Sequence, residues 1–216
     1  MKFTKKSPLA GALVAVLLLG FGVWACWPRQ ADIRTFDPSQ MAAAETQAWR
    51  DYYGKKPLAL FSGLYAQGRR QGFSPCDSFF MAYNAGNAAR TFQKSRSRQE
   101  AMKALPALEK YFRIVRRGSG GKLDPVRAAQ LELEWWQQRR ESKPVSDYAE
   151  TVAAAWKEIY QTSDSGVEGA ALIRCMMMDV RDSMRDEKMT EADWDRIREG
   201  LTQSYTRLKE AVGAKP

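Results

Sequence analysis

Histidine is absent from this sequence of 216 residues. Ser-His-Asp and Cys-His nucleophilic sites, His-ligated zinc and Glu-x-x-His di-iron bundles all need an imidazole, so the chain can build none of them. Its three cysteines are widely spaced and form no Cys-x-x-Cys motif, which excludes a thiolate zinc knuckle and an iron–sulfur run. We therefore identify no catalytic residue, no metal ligand and no cofactor-binding residue.

Two further patterns are missing. The glycine-rich run at 118–121 is followed by Lys122, but it lacks the Walker spacing and follows a predicted helix, so it is not a phosphate loop. No alternating strand is followed by a hairpin signal such as Asn-Gly or Asp-Gly. The composition, 44% hydrophobic and 27% charged, is that of a globular protein. These features predict an all-α fold.

Helix start signals recur along the chain. Asp37-Pro38, Ser74-Pro75 and Asp124-Pro125 each place a capping oxygen before a proline at the first helical position. Apolar residues follow at spacings of three and four. Together they predict about eight helices, at 38–53, 57–71, 75–94, 98–117, 125–141, 145–161, 166–186 and 191–212. We expect residues 35–212 to form one helical domain, a compact bundle or an array, followed by a tail at 213–216.

Pro106 lies inside the predicted helix 98–117 and removes one backbone donor there. Two outcomes follow from this. Either the helix is kinked near residues 102–105, or a short helix ends at Met102 and Pro106 starts the next one.

The N-terminal residues resemble a membrane anchor. Lys2, Lys5 and Lys6 lie in the segment 1–7, and residues 8–27 carry no charge. Twenty helical residues span about 30 Å, enough for a bilayer core. By the positive-inside rule, residues 1–7 are cytoplasmic, and the domain lies in the periplasm or outside the cell, joined by a tether at 28–34. We expect a single-pass protein of the inner membrane.

Two other fates compete for this segment. Val23-Trp24-Ala25-Cys26 places a small residue before a cysteine, as in lipoprotein signals, so Cys26 is a candidate for lipidation. Simple cleavage would instead release the domain. In each case the domain is exported.

Export affects the interpretation of the remaining cysteines. Cys76 and Cys175 would lie in an oxidising compartment, where two leftover thiols often pair. A bridge between them is one prediction. The alternative is that both are small buried apolar side chains, and the run Met176-Met177-Met178 beside Cys175 fits that alternative.

Four segments carry a resemblance: ETQAWRDYY at 45–53, ALPALEKY at 104–111, LELEWW at 131–136 and TEADW at 190–194. Together they look like a widespread family of uncharacterised bacterial helical proteins, over most of residues 40–210. The resemblance implies a helical fold and no particular activity, since the group has no assigned function.

A weaker resemblance is to a single tetratricopeptide hairpin. It rests on Tyr83-Asn84-Ala85-Gly86-Asn87, then Glu100-Ala101 and Leu108-Glu109-Lys110. No second copy follows at a period of 34 residues, although a solenoid needs about three repeats.

Positive charge is concentrated in one segment. Nine bases and only two acids lie between Lys94 and Lys122, a local sum of +7 in a chain of net charge +9. Lys110, Arg113 and Arg117 share one helix face, with Arg116 beside them. The segment is either a solvated face that complements the helix dipole or a docking patch for an anionic surface. Candidate surfaces are lipid headgroups, an acidic envelope polymer and an acidic protein.

Nucleic acid is not an expected partner of the basic segment. An exported domain seldom meets it, and the chain has no recognition motif for it.

Trp135 and Trp136 are candidate partner-binding residues. Adjacent helical positions lie about 100° apart, so the two rings cannot share a face. Either both pack in the core, or one does and the other lies at a groove or interface.

Carboxylates are the remaining candidates for acid–base chemistry. Glu132 and Glu134 point about 200° apart, so an active pair would require Glu45 or Asp51 from another helix. The main functional hypothesis is therefore a membrane-anchored, non-catalytic interaction or scaffold module of the cell envelope. The alternatives are a carboxylate-dependent envelope enzyme, a tetratricopeptide-like adaptor and a helical spacer.

Overall fold

The computed structural model describes the backbone of residues 8–184 and 189–213, with side chains from Val14 onward. Every regular element in those ranges is a helix, so the predicted all-α class is confirmed. The helices are α1 (Pro8–Cys26), α2 (Pro38–Tyr53), α3 (Pro57–Arg70), α4 (Pro75–Lys94), α5 (Arg98–Ala101), α6 (Leu105–Ser119), α7 (Pro125–Arg140), α8 (Val145–Tyr160), α9 (Gly166–Ser183) and α10 (Glu191–Gly213). All eight predicted helix starts after residue 35 coincide with observed starts. The predicted end of the helix 166–186 lies outside the described residues.

The predicted caps explain this agreement. The Asp37 carboxylate accepts a hydrogen bond from the Gln40 amide at 2.8 Å, and the Ser74 hydroxyl accepts one from the Asp77 amide at 3.1 Å. The Asp124 carboxylate accepts one from Val126 at 2.9 Å. Each bond satisfies one of the amides that a helix N-terminus leaves without an intrahelical partner.

The helix predicted at 98–117 is broken. α5 ends at Ala101, a 3₁₀ turn covers Met102–Ala104, and α6 begins at Leu105. Pro106 therefore lies in the first turn of α6, where its missing amide costs no intrahelical hydrogen bond. The second of the two predicted outcomes is confirmed, and the domain has nine helices in the described residues instead of eight.

The helices after α1 form a closed bundle. Helices that follow one another in the chain pack together from α2 through α4, then from α6 through α10, and α4 packs on α6. α10 returns to pack on α2, which closes the circuit. Of the two predicted forms, bundle and open array, the domain adopts the closed bundle.

Two apolar clusters fill the bundle. One, built mainly from α2 and α7–α10, contains the fully buried Ile197, Leu201 and Leu208. The other, mainly from α4, α6 and α7, contains Phe112 and Leu133. Trp136 packs against both clusters and lies where they meet.

Residues 28–37 pack across one end of the bundle, which we call the tether end. The Ala31 amide donates to the Gly118 carbonyl at the end of α6, at 2.7 Å. Arg34 donates to the Tyr160 carbonyl at the end of α8, at 2.6 Å. Lys209 of α10 donates to the Phe36 carbonyl at 2.7 Å. The predicted tether is thus docked on the domain. The opposite end, at the α2–α3 and α7–α8 turns, is the distal end.

The disulfide differs from the predicted one. Cys26 at the end of α1 is bonded to Cys76 in the first turn of α4, and Cys175 is a free, fully buried thiol. The predicted bridge between Cys76 and Cys175 is therefore wrong. Docking of the tether brings Cys26 to Cys76, whereas Cys175 lies in the α9 core, where burial raises the pKa of its thiol to about 12.

Helix α1 exposes large apolar side chains, among them Leu19 at 70% and Phe21 at 63%. Its C-terminal end packs against α4. Within the described part of the chain, no helix meets the length and apolarity required of a membrane span.

The disulfide is testable by substitution. Replacing Cys26 and Cys76 with serine should lower the free energy of unfolding by up to about 4 kcal/mol, because the bridge joins residues 50 apart and restricts the unfolded chain. Urea unfolding of the full chain measures this.

Cys175→Ser is the control, because it removes the free thiol and leaves the Cys26–Cys76 disulfide in place. Peptide mapping without reduction should find Cys26 linked to Cys76. A linked peptide containing Cys175 would contradict the assignment.

Candidate functional site at the tether end and in the central cavity

The basic segment 94–122 does not form one surface. Its first bases lie at the distal end, where Arg98 binds Glu141 at 2.6 Å and Glu134 at 2.9 Å. Its last bases follow α6 to the tether end. The local sum of +7 along the sequence is therefore divided between opposite ends of the bundle.

The bases at the tether end form what we call the basic patch: Arg113, Arg116, Arg117 and Lys122. These side chains, with Gly120 and Gly121, line a shallow open depression. Gly120 has a φ of 63°, a left-handed conformation that favours glycine and ends α6. The cations thus surround a helix C-terminus, where the dipole is negative and stabilises them. Lys110 is exposed but lies one turn away from the depression.

Two members of the basic patch are paired. Arg113 binds Glu109 one turn back on the same exposed face, at 2.8 Å. Arg117 contacts the buried carboxylate of Asp77. Within the described residues, no ion pair involves Arg116 or Lys122. The patch therefore keeps a net positive charge after its pairs are formed.

The basic patch lies beside the point where α1 joins the domain. Asp77, the partner of Arg117, is the residue after the disulfide-bonded Cys76. Gly118 accepts the hydrogen bond from Ala31, and its Cα lies so close to Phe73 that a Cβ there would overlap the ring. The patch and the end of α1 are thus fixed to the same piece of structure.

The two tryptophans lie inside the domain. Trp135 is 7% exposed and belongs to the first apolar cluster. Trp136 is partly buried and contacts Phe92 edge to face, with 5.3 Å between ring centroids. Neither ring forms part of the basic patch. Trp135 packs in the core, whereas Trp136 packs against it and also lines a cavity, so partner binding by this pair stays a prediction.

That cavity lies among α2, α3, α4, α6, α7 and α8 and has a volume of about 350 Å³. Its walls are mainly apolar and aromatic, with Trp49, Tyr111 and Trp136 among them. On α4 most of the lining residues are small, namely Ala82, Ala85, Gly86 and Ala89, and Met81 is the one large side chain there. This volume is in the range of small-molecule sites.

Glu132 of α7 is the one acid among the residues that line the central cavity. Its carboxylate accepts a hydrogen bond from the Trp136 indole at 3.0 Å. Burial raises the pKa of this carboxyl, and the nearby Glu45 adds to the rise, whereas the indoles and Arg174 oppose it. These surroundings therefore make the carboxyl a weaker acid than it would be in water.

Tyr111 lines the same cavity. Burial and the charge of Glu132 raise the pKa of its phenol to about 12, so the phenol keeps its proton. The cavity thus combines a mainly apolar lining with the Glu132 carboxyl and the phenols of Tyr52 and Tyr111.

Behind this cavity lies a buried ion pair. Arg174 of α9 binds Glu45 of α2 at 2.6 Å, with 14% and 12% of the two side chains exposed. Tyr205 of α10 donates to the same carboxylate at 2.5 Å. The guanidinium also lies over the rings of Trp135 and Trp156, at 5.2 Å and 5.7 Å from their centroids.

The other acids considered in the sequence lie elsewhere. Glu134 binds Arg98, and Asp51 accepts a hydrogen bond from Gln47 at 3.0 Å. Glu45 influences Glu132 electrostatically but does not line the cavity. Within the described residues, no cluster of three or more Cys, Asp or Glu side chains could hold a metal ion.

Sequence reasoning missed the cavity. The signal that could have found it is the spacing of small residues on α4, at 82, 85, 86 and 89, which places them on one helical face. By itself this spacing is equally typical of close helix packing.

No family model, curated protein or solved structure matches this chain. The resemblances noted in the sequence stay predictions, and the function has to be argued from the geometry.

The buried ion pair gives a stability prediction. Arg174→Met should lower the free energy of unfolding by about 3–5 kcal/mol, because it leaves the Glu45 carboxylate buried without its cation. Urea unfolding followed by circular dichroism measures the loss. Arg174→Met combined with Glu45→Leu should recover part of it, since both charges are then removed.

Arg198→Gln is the control for that experiment. It breaks the exposed pair with Asp195, and we expect a change of about 0–1 kcal/mol. A similar loss for Arg198→Gln and Arg174→Met would contradict the special role of the buried pair.

Glu132 should make stability fall as the pH rises. Its pKa in the folded protein lies above the ordinary value of 4.5, so the unfolded chain loses this proton first. The contribution of Glu132 is most favourable below pH 4.5 and declines as the pH rises through the folded pKa.

Glu132→Gln removes this titration and keeps an acceptor for Trp136. Urea unfolding at a series of pH values should show the variant gaining stability relative to the wild type with rising pH. A pH-independent difference between the two would be inconsistent with a raised pKa.

Proposed function

We propose that this protein is a membrane-anchored, non-catalytic interaction module of the bacterial cell envelope. In this proposal α1 holds it in the inner membrane, the domain is exported, and the basic patch docks on the anionic lipid headgroups beside the anchor. The observation that carries the proposal is the position of the patch next to the end of α1, linked through Cys76, Asp77 and Arg117.

Although no described helix meets the criteria of a complete membrane span, the composition and exposure of α1 favour the proposed anchor. The helix has 19 residues, none charged, and spans about 28 Å. The large apolar side chains between Val14 and Val23 are exposed and are not packed against the domain. Trp24 and Trp27 lie at its domain end, and the Arg29 guanidinium lies 5.0 Å from the Trp24 ring centroid. Indole at that level is typical of a headgroup region.

The cysteine pairing supports export by an uncleaved anchor. A disulfide is stable in an oxidising compartment outside the cytoplasm. The single Sγ of Cys26 cannot bond both Cys76 and a lipid, so the disulfide and lipidation exclude each other. A lipid-anchored form of the protein would lack this bridge.

Charge supports headgroups as the docking surface. Juxtamembrane bases gain about 1 kcal/mol each near an anionic leaflet. Arg116 and Lys122 can supply this attraction directly, while Arg113 and Arg117 would share it with Glu109 and Asp77. An acidic envelope polymer and an acidic protein are the other surfaces that this charge would fit.

A carboxylate-dependent enzyme gains little from the geometry. Such an enzyme would use two acids close together, but Asp51 does not line the central cavity with Glu132 and instead accepts a hydrogen bond from Gln47. Glu45 is held by Arg174 outside the lining. The interaction module is therefore the function that we prefer.

Headgroup docking can be tested on the full chain in nanodiscs. Changing from phosphatidylcholine to phosphatidylglycerol should protect Lys122 from an amine-acylating reagent, because the patch then contacts the lipid surface. Mass spectrometry of the acylated peptides measures this. Lys143, at the distal end, should not change and is the internal reference.

Substitution of the patch provides the matched comparison. Arg113→Gln, Arg116→Gln and Arg117→Gln together should abolish the protection of Lys122. Arg96→Gln, Arg196→Gln and Arg198→Gln remove the same charge elsewhere and should preserve it. Equal acylation of Lys122 in both lipids would reject headgroups as the surface. In that event, loss of a partner protein from membrane pull-downs of the patch variant would identify an acidic protein instead.

A further inference from the structure

We propose that the central cavity, together with a second chamber outside it, forms one binding site for an anionic single-chain amphiphile of the fatty-acid type. The acyl chain occupies the central cavity, and the anionic head lies among cations at the rim. This site is separate from the basic patch and does not depend on the proposed membrane docking.

The two chambers adjoin each other. The outer chamber lies between α2, α3 and α4 and has a volume of about 510 Å³. It shares six lining residues with the central cavity: Tyr52, Leu60, Leu64, Ala82, Gly86 and Ala89. In this proposal, the shared residues line a slot that leads from the inner space to the surface. A long, narrow ligand fits such a shape better than a compact one.

The rim of the slot is cationic. Lys55, Lys56 and Arg90 line the outer chamber and are exposed to solvent. Asp51 is the one acid among the lining residues there; it is buried and accepts the hydrogen bond from Gln47. The rim therefore carries an excess of positive charge and is complementary to an anionic head.

The inner end of the slot suits an acyl chain. Leu108, Phe112 and Ile159 supply apolar walls, and the Glu132 carboxyl accepts a hydrogen bond from the Trp136 indole. A polar group that already has a hydrogen-bond partner costs less beside a hydrocarbon than an unpaired one does. The polarity thus falls from the rim inward, as it does along a fatty acid.

Gly86, which lines both chambers, is a position where a larger side chain should narrow the slot without disturbing the backbone. A Cβ added at Gly86 meets no heavy atom within 4 Å, so a larger side chain there can extend into the slot without a backbone clash. Gly63 of α3 has the same open surroundings and lies outside both chambers. Gly86→Leu and Gly63→Leu are therefore a matched pair of helical substitutions.

The test is calorimetric titration of the full chain in phosphatidylcholine nanodiscs, with empty nanodiscs subtracted. The ligands are decanoate, 1-decanol and decyltrimethylammonium, which share a ten-carbon chain and differ in the charge of the head. We expect decanoate to bind more tightly than decanol, and decanol more tightly than the cation. Gly86→Leu should weaken decanoate binding at least about tenfold, while Gly63→Leu leaves it unchanged.

A second set of variants tests whether the anionic head binds at the cationic rim. Replacing Lys55, Lys56 and Arg90 with glutamine should weaken decanoate about fivefold and leave decanol unaffected. The variant with Arg96, Arg196 and Arg198 replaced by glutamine, which has the same net charge, should bind decanoate as the wild type does. Wild-type affinity of folded Gly86→Leu for decanoate, or equal affinity for all three head groups, would overturn the proposal.

Circular dichroism and urea unfolding establish that each variant is folded. Should Gly86→Leu fail to fold, Ala85→Leu narrows the same wall and replaces it in the test. Loss of lipid protection at Lys122 in the docking experiment leaves this result unaffected, so the two proposals fail separately.

Discussion

The closed bundle depends on the contact between its last helix and its first. α10 and α2 lie at opposite ends of the domain sequence. The buried carboxylate of Glu45 on α2 joins them, because it accepts a hydrogen bond from Tyr205 of α10 and binds Arg174 of α9. The Arg174 guanidinium extends this tie to α7 and α8 by lying over Trp135 and Trp156. A charge pair so poorly hydrated is stable only when its geometry and its other hydrogen bonds are in place. The circuit of helices holds that geometry, and the pair in turn fixes the closure.

Closure also explains the cavity. Eight helices arranged in a circuit can fill their centre only where large side chains point inward. The α4 wall is mostly alanine and glycine, with Met81 as its one larger side chain. Space is therefore left at the junction of the two apolar clusters. Glu132 lies at this junction, and the low polarity of its surroundings accounts for the raised pKa of the carboxyl.

The sequence was most informative about local structure. A helix start depends on a local motif only a few residues long, a capping side chain followed by a proline. Asp37, Ser74 and Asp124 could therefore be identified as caps without knowledge of the fold. The break at Pro106 was likewise one of two local outcomes. The disulfide and the cavity could not be deduced in this way. They depend on how residues 28–37 dock and on which helix faces meet, both of which are long-range properties of the packing.

Charge shows the same limit more sharply. A sum of +7 between residues 94 and 122 suggests one basic surface. The break before α6 and the length of α6, about 20 Å, instead place the first and last bases at opposite ends of the bundle. At the distal end, Glu134 and Glu141 compensate Arg98. At the tether end, the cations lie around the C-terminus of α6, where the helix dipole stabilises them.

The separation of the two ends also separates the two proposed roles. The tether end is fixed to α1 by a covalent bond, whereas the slot opens near the α2–α3 turn at the distal end. A surface held at the first end therefore leaves the entrance of the slot uncovered.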